Sequence, residues 1–318
     1  MLRIALFASV ALASCPGAAA DYPTRAIRMV VPFAAGGASD ILARVIAQPL
    51  GERLGQSLVI ENRPGAGGTL GADLVAKAAA DGHTLLLADV AAYTISPSLY
   101  ARLPYQARDL APVINLATFA HLLIAPPGSP FNSVVDVLAS EKARPGNLSV
   151  ASSGNGTSTH LTIEMLNAVT ASRLVHVPYK GGGAALADVM GGQVPLMIIG
   201  TPPAMPLIRS GKLKALAVTT SARMSALPNV ITVAEAGAAG FESIAAQGIF
   251  APAGTPKDVI ARLNGEIARI IRRPEIGERW AQLGGMPVDN SPEQFSAWLK
   301  AESDKWGKVV RDSGAKLD

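Results

Sequence analysis

The chain has 318 residues, 49% hydrophobic and 16% charged, a composition that excludes a disordered chain. Its 28 Lys+Arg against 24 Asp+Glu give a net charge of +4 with no basic run, and an aromatic content of 5% leaves few stacking platforms, so no nucleic-acid partner is expected. At roughly 100–200 residues per domain the length implies about two domains.

The longest apolar run is N-terminal. Arg3 supplies a positive charge, Ile4 to Ala13 is apolar but for Ser9, and Ala18-Ala19-Ala20 places small residues before Asp21. This is the pattern of an export signal, and the run is too short for a membrane-spanning helix, which needs about 20 residues. Residues 1–20 are therefore expected to be a signal peptide and the protein to be periplasmic. Leu12-Ala13-Ser14-Cys15 also resembles a lipobox, so lipid attachment at Cys15 stays open as the alternative. Cleavage after Ala20 would remove the single cysteine and with it any disulfide chemistry.

Beyond the leader, short β-rich runs alternate with helical patterns, the signature of parallel sheet with crossover helices, and the fold class is α/β. Strands are expected at Ile27 to Phe33, Ser57 to Glu61, His83 to Ala88, Asn147 to Ser152, Leu174 to Pro178, Val194 to Ile199 and Lys214 to Thr219. Ile41, Leu42, Val45, Ile46 and Leu50 form one apolar helical face. From Pro256 to Lys316 the pattern is mostly helical, with Trp280, Phe295, Trp298 and Trp306 available as core anchors. Ile124-Ala125-Pro126-Pro127-Gly128-Ser129-Pro130 recurs as Phe250-Ala251-Pro252-Ala253-Gly254-Thr255-Pro256. Each copy is expected to end a strand and open a helix, with Ser129 or Thr255 as cap and the last proline in the first turn. Either this is a common strand-to-helix idiom, or each copy enters a separate lobe, the chain crossing near residue 121 and returning near 246. The second reading makes residues 21–120 with 246–318 one lobe and residues 121–245 the other, with a ligand cleft between them.

Catalytic motifs are missing from the sequence. It contains no G-x-S-x-G, no Walker A loop and no H-E-x-x-H, and His83, His121, His160 and His176 lack metal-ligand spacing. Gly154 to Thr159 begins like G-x-G-x-x-G without its third glycine. No enzyme activity, cofactor or metal is expected; the rival is an exported serine hydrolase with His160 as base. What recurs is a strand, a glycine turn rich in hydroxyls, and a helix start: Val30 to Asp40, and Val150 to Ser158. Amides at a helix N-terminus are unpaired and carry partial positive charge, and glycine lets an anion approach them. Helix capping by Ser39 and Ser158 is the better account of a single such turn; two of them, one per lobe, favour ligand binding. The stretches Arg63 to Thr69 and Pro178 to Gly183 either line the cleft or serve close packing, and Lys180 reads as a solvated surface residue.

At these residues the chain resembles the Bug family, the solute-binding receptors of tripartite tricarboxylate transporters. The resemblance runs through Tyr22-Pro23, Pro32 to Asp40, Glu61 to Gly68, Asp81 to Leu86, Ala151 to His160, His176 to Gly182 and Phe250 to Pro256. It implies a type II periplasmic-binding-protein fold, two α/β lobes joined by two hinge strands. It also implies a carboxylate gripped by Phe33, Ala35, Gly36, Gly37 and Ser39 from one side and by Ser152, Ser153, Asn155, Gly156 and Thr157 from the other. Asp40 would order the first loop rather than act as a base, because a carboxylate ligand would repel it. Tyr179 and Thr201 are further candidates in the second lobe. Tyr93 stands where relatives often have histidine; it either stacks on an aromatic acid or is a core or rim residue. Val194 to Gly200 lacks the acidic residues many relatives carry there, which argues against an amino-acid ligand. The expected protein is a monomeric periplasmic receptor that passes a di- or tricarboxylate, or an aromatic acid, to membrane transporter subunits. The same fold serving a sensory partner remains the alternative.

Overall fold

Strands with apolar residues on both faces organise the molecule. The computed structural model describes residues 22–317; the expected signal peptide, Cys15 and the expected cut after Ala20 lie outside them. The first part runs β1 (Ile27–Val31), α1 (Ala38–Leu54), β2 (Leu58–Asn62), a 3-10 turn at Ala66–Gly68, α2 (Thr69–Ala76), β3 (Thr84–Asp89), α3 (Ala91–Thr94), α4 (Ser96–Leu99) and the long β4 (Leu110–Ala125). The middle part is α5 (Val134–Ala143), β5 (Ser149–Ser152), α6 (Ser158–Thr170), β6 (Val175–Pro178), α7 (Gly182–Met190), β7 (Leu196–Gly200), α8 (Thr201–Arg209) and β8 (Lys214–Val218). The chain returns through β9 (Ile244–Pro252) to α9 (Lys257–Ile271), α10 (Pro274–Gln282), β10 (Gly285–Pro287) and α11 (Pro292–Ser313).

Strand order is β2-β1-β3-β9-β4-β7-β5-β6, with β8 and β10 also on β4. β1 lies parallel between β2 and β3, and β5 lies parallel between β6 and β7. β4 and β9 run antiparallel to each other and join the two halves. β4 changes partners along its length: Leu110 to Ala120 face β9, while His121 to Ala125 face β7 and β8. This is a two-lobed α/β fold of the periplasmic-binding-protein type, with β4 and β9 crossing between the lobes.

The side-chain period of two divides each half-sheet between two cores. Ile27, Met29, Val31, Leu85 and Leu87 enter one cluster with α1, α9 and Trp280, whereas Val30, Leu86 and Ala88 enter another with Phe250, Phe295 and Leu299. In the second half, Leu123, Leu196 and Ile198 face one side, and Leu122, Ile124, Met197 and Ile199 the other. Trp280, Phe295 and Trp306 are buried as core anchors, and Trp298 packs at the edge of its cluster. A fifth cluster joins the halves: Leu161 of α6 packs with Ala91, Ile95, Leu99, Trp306 and Val310. Among the described residues no helix is long and apolar enough to cross a membrane.

The repeated Pro-Gly segments follow β4 and β9, but neither caps a helix as expected. The Thr255 hydroxyl donates to Pro252 O at 2.7 Å and leaves Pro256 at the N-cap of α9. After the first copy, Ser129 accepts from the Phe131 N–H, and α5 starts later, with a capping box formed by Ser133 and Asp136. The short hydroxyl side chains fold back on their own turns, which compete with the cap position.

Candidate functional site

Three helices begin at one point between the halves. α1 follows β1 with Gly37 at its N-cap and no side-chain cap, and α7 follows β6 with Gly181 in the same role. α6 follows β5; its N-cap Thr157 accepts the His160 N–H. The first-turn amides of Ala38 and Ser39, of Ser158 and Thr159, and of Gly182 therefore keep no partner among the described residues. Each is a donor at the positive end of a helix.

These residues line an internal cavity with Phe33, Gly37, Ser153, Thr157 and, from β7 and α8, Ile199, Gly200 and Pro203. The sheet supplies Asp89, His121, Ala245 and Gln247. The cavity volume is about 40 Å³, room for a few waters or one carboxyl-sized group. A wider mouth of about 210 Å³ shares Phe33 and Ser153 with it and is lined further by Gly65 to Gly68, Asn155, Tyr179 and Lys180. Among the described residues neither arginine nor lysine lines the inner cavity.

The two glycine turns thus supply lining and scaffold in different residues. Phe33, Gly37, Ser39, Ser153 and Thr157 line the inner cavity, and Asn155 and Tyr179 line its mouth. Ala35 and Gly36 are exposed at the outer edge of the first loop. Asp40 is buried and orders that loop: it accepts the Gly36 N–H at 3.0 Å, a two-point contact from Arg44, and the Asn62 amide. Burial alone would raise its carboxyl, but these donors together hold it below the usual carboxylate range.

Ser152 lies beneath the second loop, where its Oγ accepts the Gly154 N–H and meets His176 Nε2 at 2.6 Å. Burial and the neighbouring His160 push His176 down to about 4, so it is a neutral hydrogen-bond partner. The Gly156 N–H donates to His160 Nδ1, so this imidazole serves the loop and meets no serine hydroxyl among the described residues. The Tyr179 hydroxyl donates to Asp188 at 2.6 Å, which with burial pushes it up to about 12.

Two candidates lie away from the inner cavity. Tyr93 does not reach the cavity; α3 turns its ring onto Phe250, stacked at 5.6 Å, and its free edge faces a separate open groove beside α11. Thr201 is fully buried, and its hydroxyl donates to Gly284 O at 3.0 Å, away from the lining.

Asp89, His121, Ser158 and Gln247 were not among the expected site residues. Asp89 ends β3, accepts the Ala91 N–H at 2.8 Å, and accepts a short hydrogen bond from the Ser158 hydroxyl across the cleft. Burial pushes its carboxyl up to about 6, against those two donors. Ser158 Oγ also lies 3.0 Å from His121 Nε2, and His121 Nδ1 lies 3.1 Å from Ser243 Oγ. Burial, with repulsion from Lys305, pushes His121 down to about 3, so the ring is uncharged. The serine proton goes to the aspartate and the imidazole faces another hydroxyl, an order unlike that of a nucleophilic triad, where histidine stands in the middle. The signals were weak but present: a lone acid closing an apolar strand, and a lone amide within β9.

The family model described as the tripartite tricarboxylate transporter family receptor matches residues 42–315. Protein BugT of Bordetella pertussis is 38% identical over 316 residues, covering 99% of this chain and 97% of BugT. Among solved structures, R. palustris Rpa4515 with adipate has a TM-score of 0.90 at 35% identity, covering 93% of this chain and 100% of that one. MatC from Rhodopseudomonas palustris with bound malate has a TM-score of 0.86 at 34% identity, covering 91% and 100%.

Proposed function

Since the chain belongs to the tripartite tricarboxylate transporter receptor family, we propose that it is a periplasmic solute receptor that closes on a small organic carboxylate and delivers it to a membrane transporter. The observation that carries this reading is the convergence of unpaired first-turn amides from α1, α6 and α7 on one buried cavity lined by neither arginine nor lysine. Such amides hold an anion by hydrogen bonds and helix dipoles together. The carboxylates bound by the two similar solved proteins, adipate and malate, support the same class here. The ligand is a di- or tricarboxylate or an aromatic acid, one carboxylate in the inner cavity and the remainder towards the mouth beside Asn155 and Tyr179. Residues 121–245 move as one lobe against 21–120 with 246–318, and the closed monomer is what the transporter recognises. No reaction is catalysed.

A thermal-shift panel of aliphatic, dicarboxylic and aromatic acids, with sugars and amines as controls, tests the reading. A ligand of the native state raises the melting temperature by mass action, by about 2.7 kcal/mol of stability at a hundredfold excess over Kd. At least one acid is expected to shift the transition while the controls do not; a shift by sugars or amines alone would overturn the proposal.

A further inference from the structure

The floor of the cavity carries a polar pair that the grip on a carboxylate does not use. β3 and β9 are antiparallel, and Asp89 stands directly opposite Gln247 in their register, so the two side chains share a face. Both line the cavity. Gln247 Oε1 accepts the Ser39 hydroxyl at 2.6 Å, which turns its amide N–H groups towards other partners. Asp89 has two donors, the Ala91 N–H and the Ser158 hydroxyl, whereas an ionised carboxylate offers about four acceptor sites.

The charges around this carboxylate make it unusual. No lysine or arginine lines the cavity, and no ion pair to Asp89 occurs among the described residues. The other ionisable group on the lining, His121, is held neutral by burial. A buried carboxylate without a counter-charge is costly unless further donors complete its shell. Ser158, which bonds Asp89, also opens α6, so Asp89 lies beside the amides that would grip the ligand carboxylate.

We propose that Asp89 is a specificity-determining residue that selects acids bearing a hydrogen-bond donor, a hydroxyl or an ammonium group, on the carbon adjacent to the gripped carboxylate. The inference rests on the carboxylate reading above and narrows it. A plain methylene or a ketone at that position adds no donor to the two that the aspartate already has, and a second carboxylate there is repelled. The acid that Val194 to Gly200 lacks is supplied instead from the end of β3, so the absence of acids on β7 does not exclude an amine.

Calorimetric titration at neutral pH with adipate, 2-hydroxyadipate, 2-aminoadipate and 2-oxoadipate tests it on the wild-type protein. At least one of the hydroxy and amino acids is expected to bind roughly tenfold or more tighter than the plain and oxo acids, the scale of a hydrogen bond to a charged group. Which of the two gains more identifies the donor. In Asp89→Asn the four affinities should draw within about threefold of one another, as expected when one charge-assisted bond is lost. Equal binding of all four acids by the wild type overturns the inference without touching the carboxylate reading, as does a ratio that survives in the variant. Failure of these acids and of every acid in the wider panel overturns the carboxylate reading, and this inference with it. The wild-type series decides the matter even if the variant folds poorly.

Discussion

Replacing Gly67 by alanine is expected to leave a folded protein that binds its ligand roughly ten- to a hundredfold more weakly. Gly67 sits in the 3-10 turn after β2, and a Cβ built on it would lie 2.2 Å from the main-chain oxygen of Asn155, in the loop between β5 and α6. The two residues belong to opposite sides of the cleft mouth, so the methyl group is a wedge that only the closed state must accommodate. Backbone oxygen cannot swing aside as a flexible side chain can, and overpacking of this kind typically costs about 1–3 kcal/mol. Gly67 also has φ +62°, which charges alanine about 1–2 kcal/mol in either state. Gly55, at the end of α1, has φ +70° and open space around its Cβ, so Gly55→Ala carries the same backbone cost without the wedge. Calorimetry on the two variants separates the effects: wild-type affinity in Gly55→Ala with weakened affinity in Gly67→Ala supports closure at this contact, and wild-type affinity in both contradicts it.

Acidification should act on the cleft through two groups of opposite sign. His121 is depressed to about 3 from an unfolded value of 6.5, so its contribution is present above 6.5 and lost as pH falls towards about 3. At about 1.4 kcal/mol per pKa unit, this loss is on the order of 3 kcal/mol by pH 4. Asp89 is raised to about 6 from 3.8, so its contribution is complete below 3.8 and lost as pH rises through about 6. Its return on acidification to pH 4 is on the order of 2–3 kcal/mol, nearly offsetting the histidine. Asp89→Asn removes only the compensating member. The variant is expected to be at least as stable as wild type at pH 7 and to lose melting temperature more steeply down to pH 4. Parallel melting curves for the two proteins across this range would contradict the assignment.

The elements were more legible in sequence than the floor of the site. The strands from Ile27, Ser57, His83, Asn147, Leu174, Val194 and Lys214 appear within a residue or two of their expected positions, because each is a compact apolar run closed by a turn. The glycine turns before α1 and α6 were equally visible, since strand, glycine and hydroxyl residues are contiguous there. Asp89 and Gln247 were not, because they become neighbours only when β3 pairs with β9, a long-range register that no local pattern encodes. His121 looked like one scattered histidine until β4 placed it between Ser158 and Ser243. Tyr93 and Thr201 show the converse: each lies near the right turn in sequence, but local helix geometry aims one at Phe250 and the other at Gly284.

The most direct measurement is a crystal structure of the protein with an acid that raises its melting temperature. One carboxylate of that ligand should lie in the inner cavity, within hydrogen-bond distance of main-chain amides among Ala38, Ser39, Ser158, Thr159 and Gly182, with no lysine or arginine side chain on it. A ligand carboxylate paired with Lys180 at the mouth, or bound in the groove beside Tyr93, would contradict recognition by helix-terminal amides.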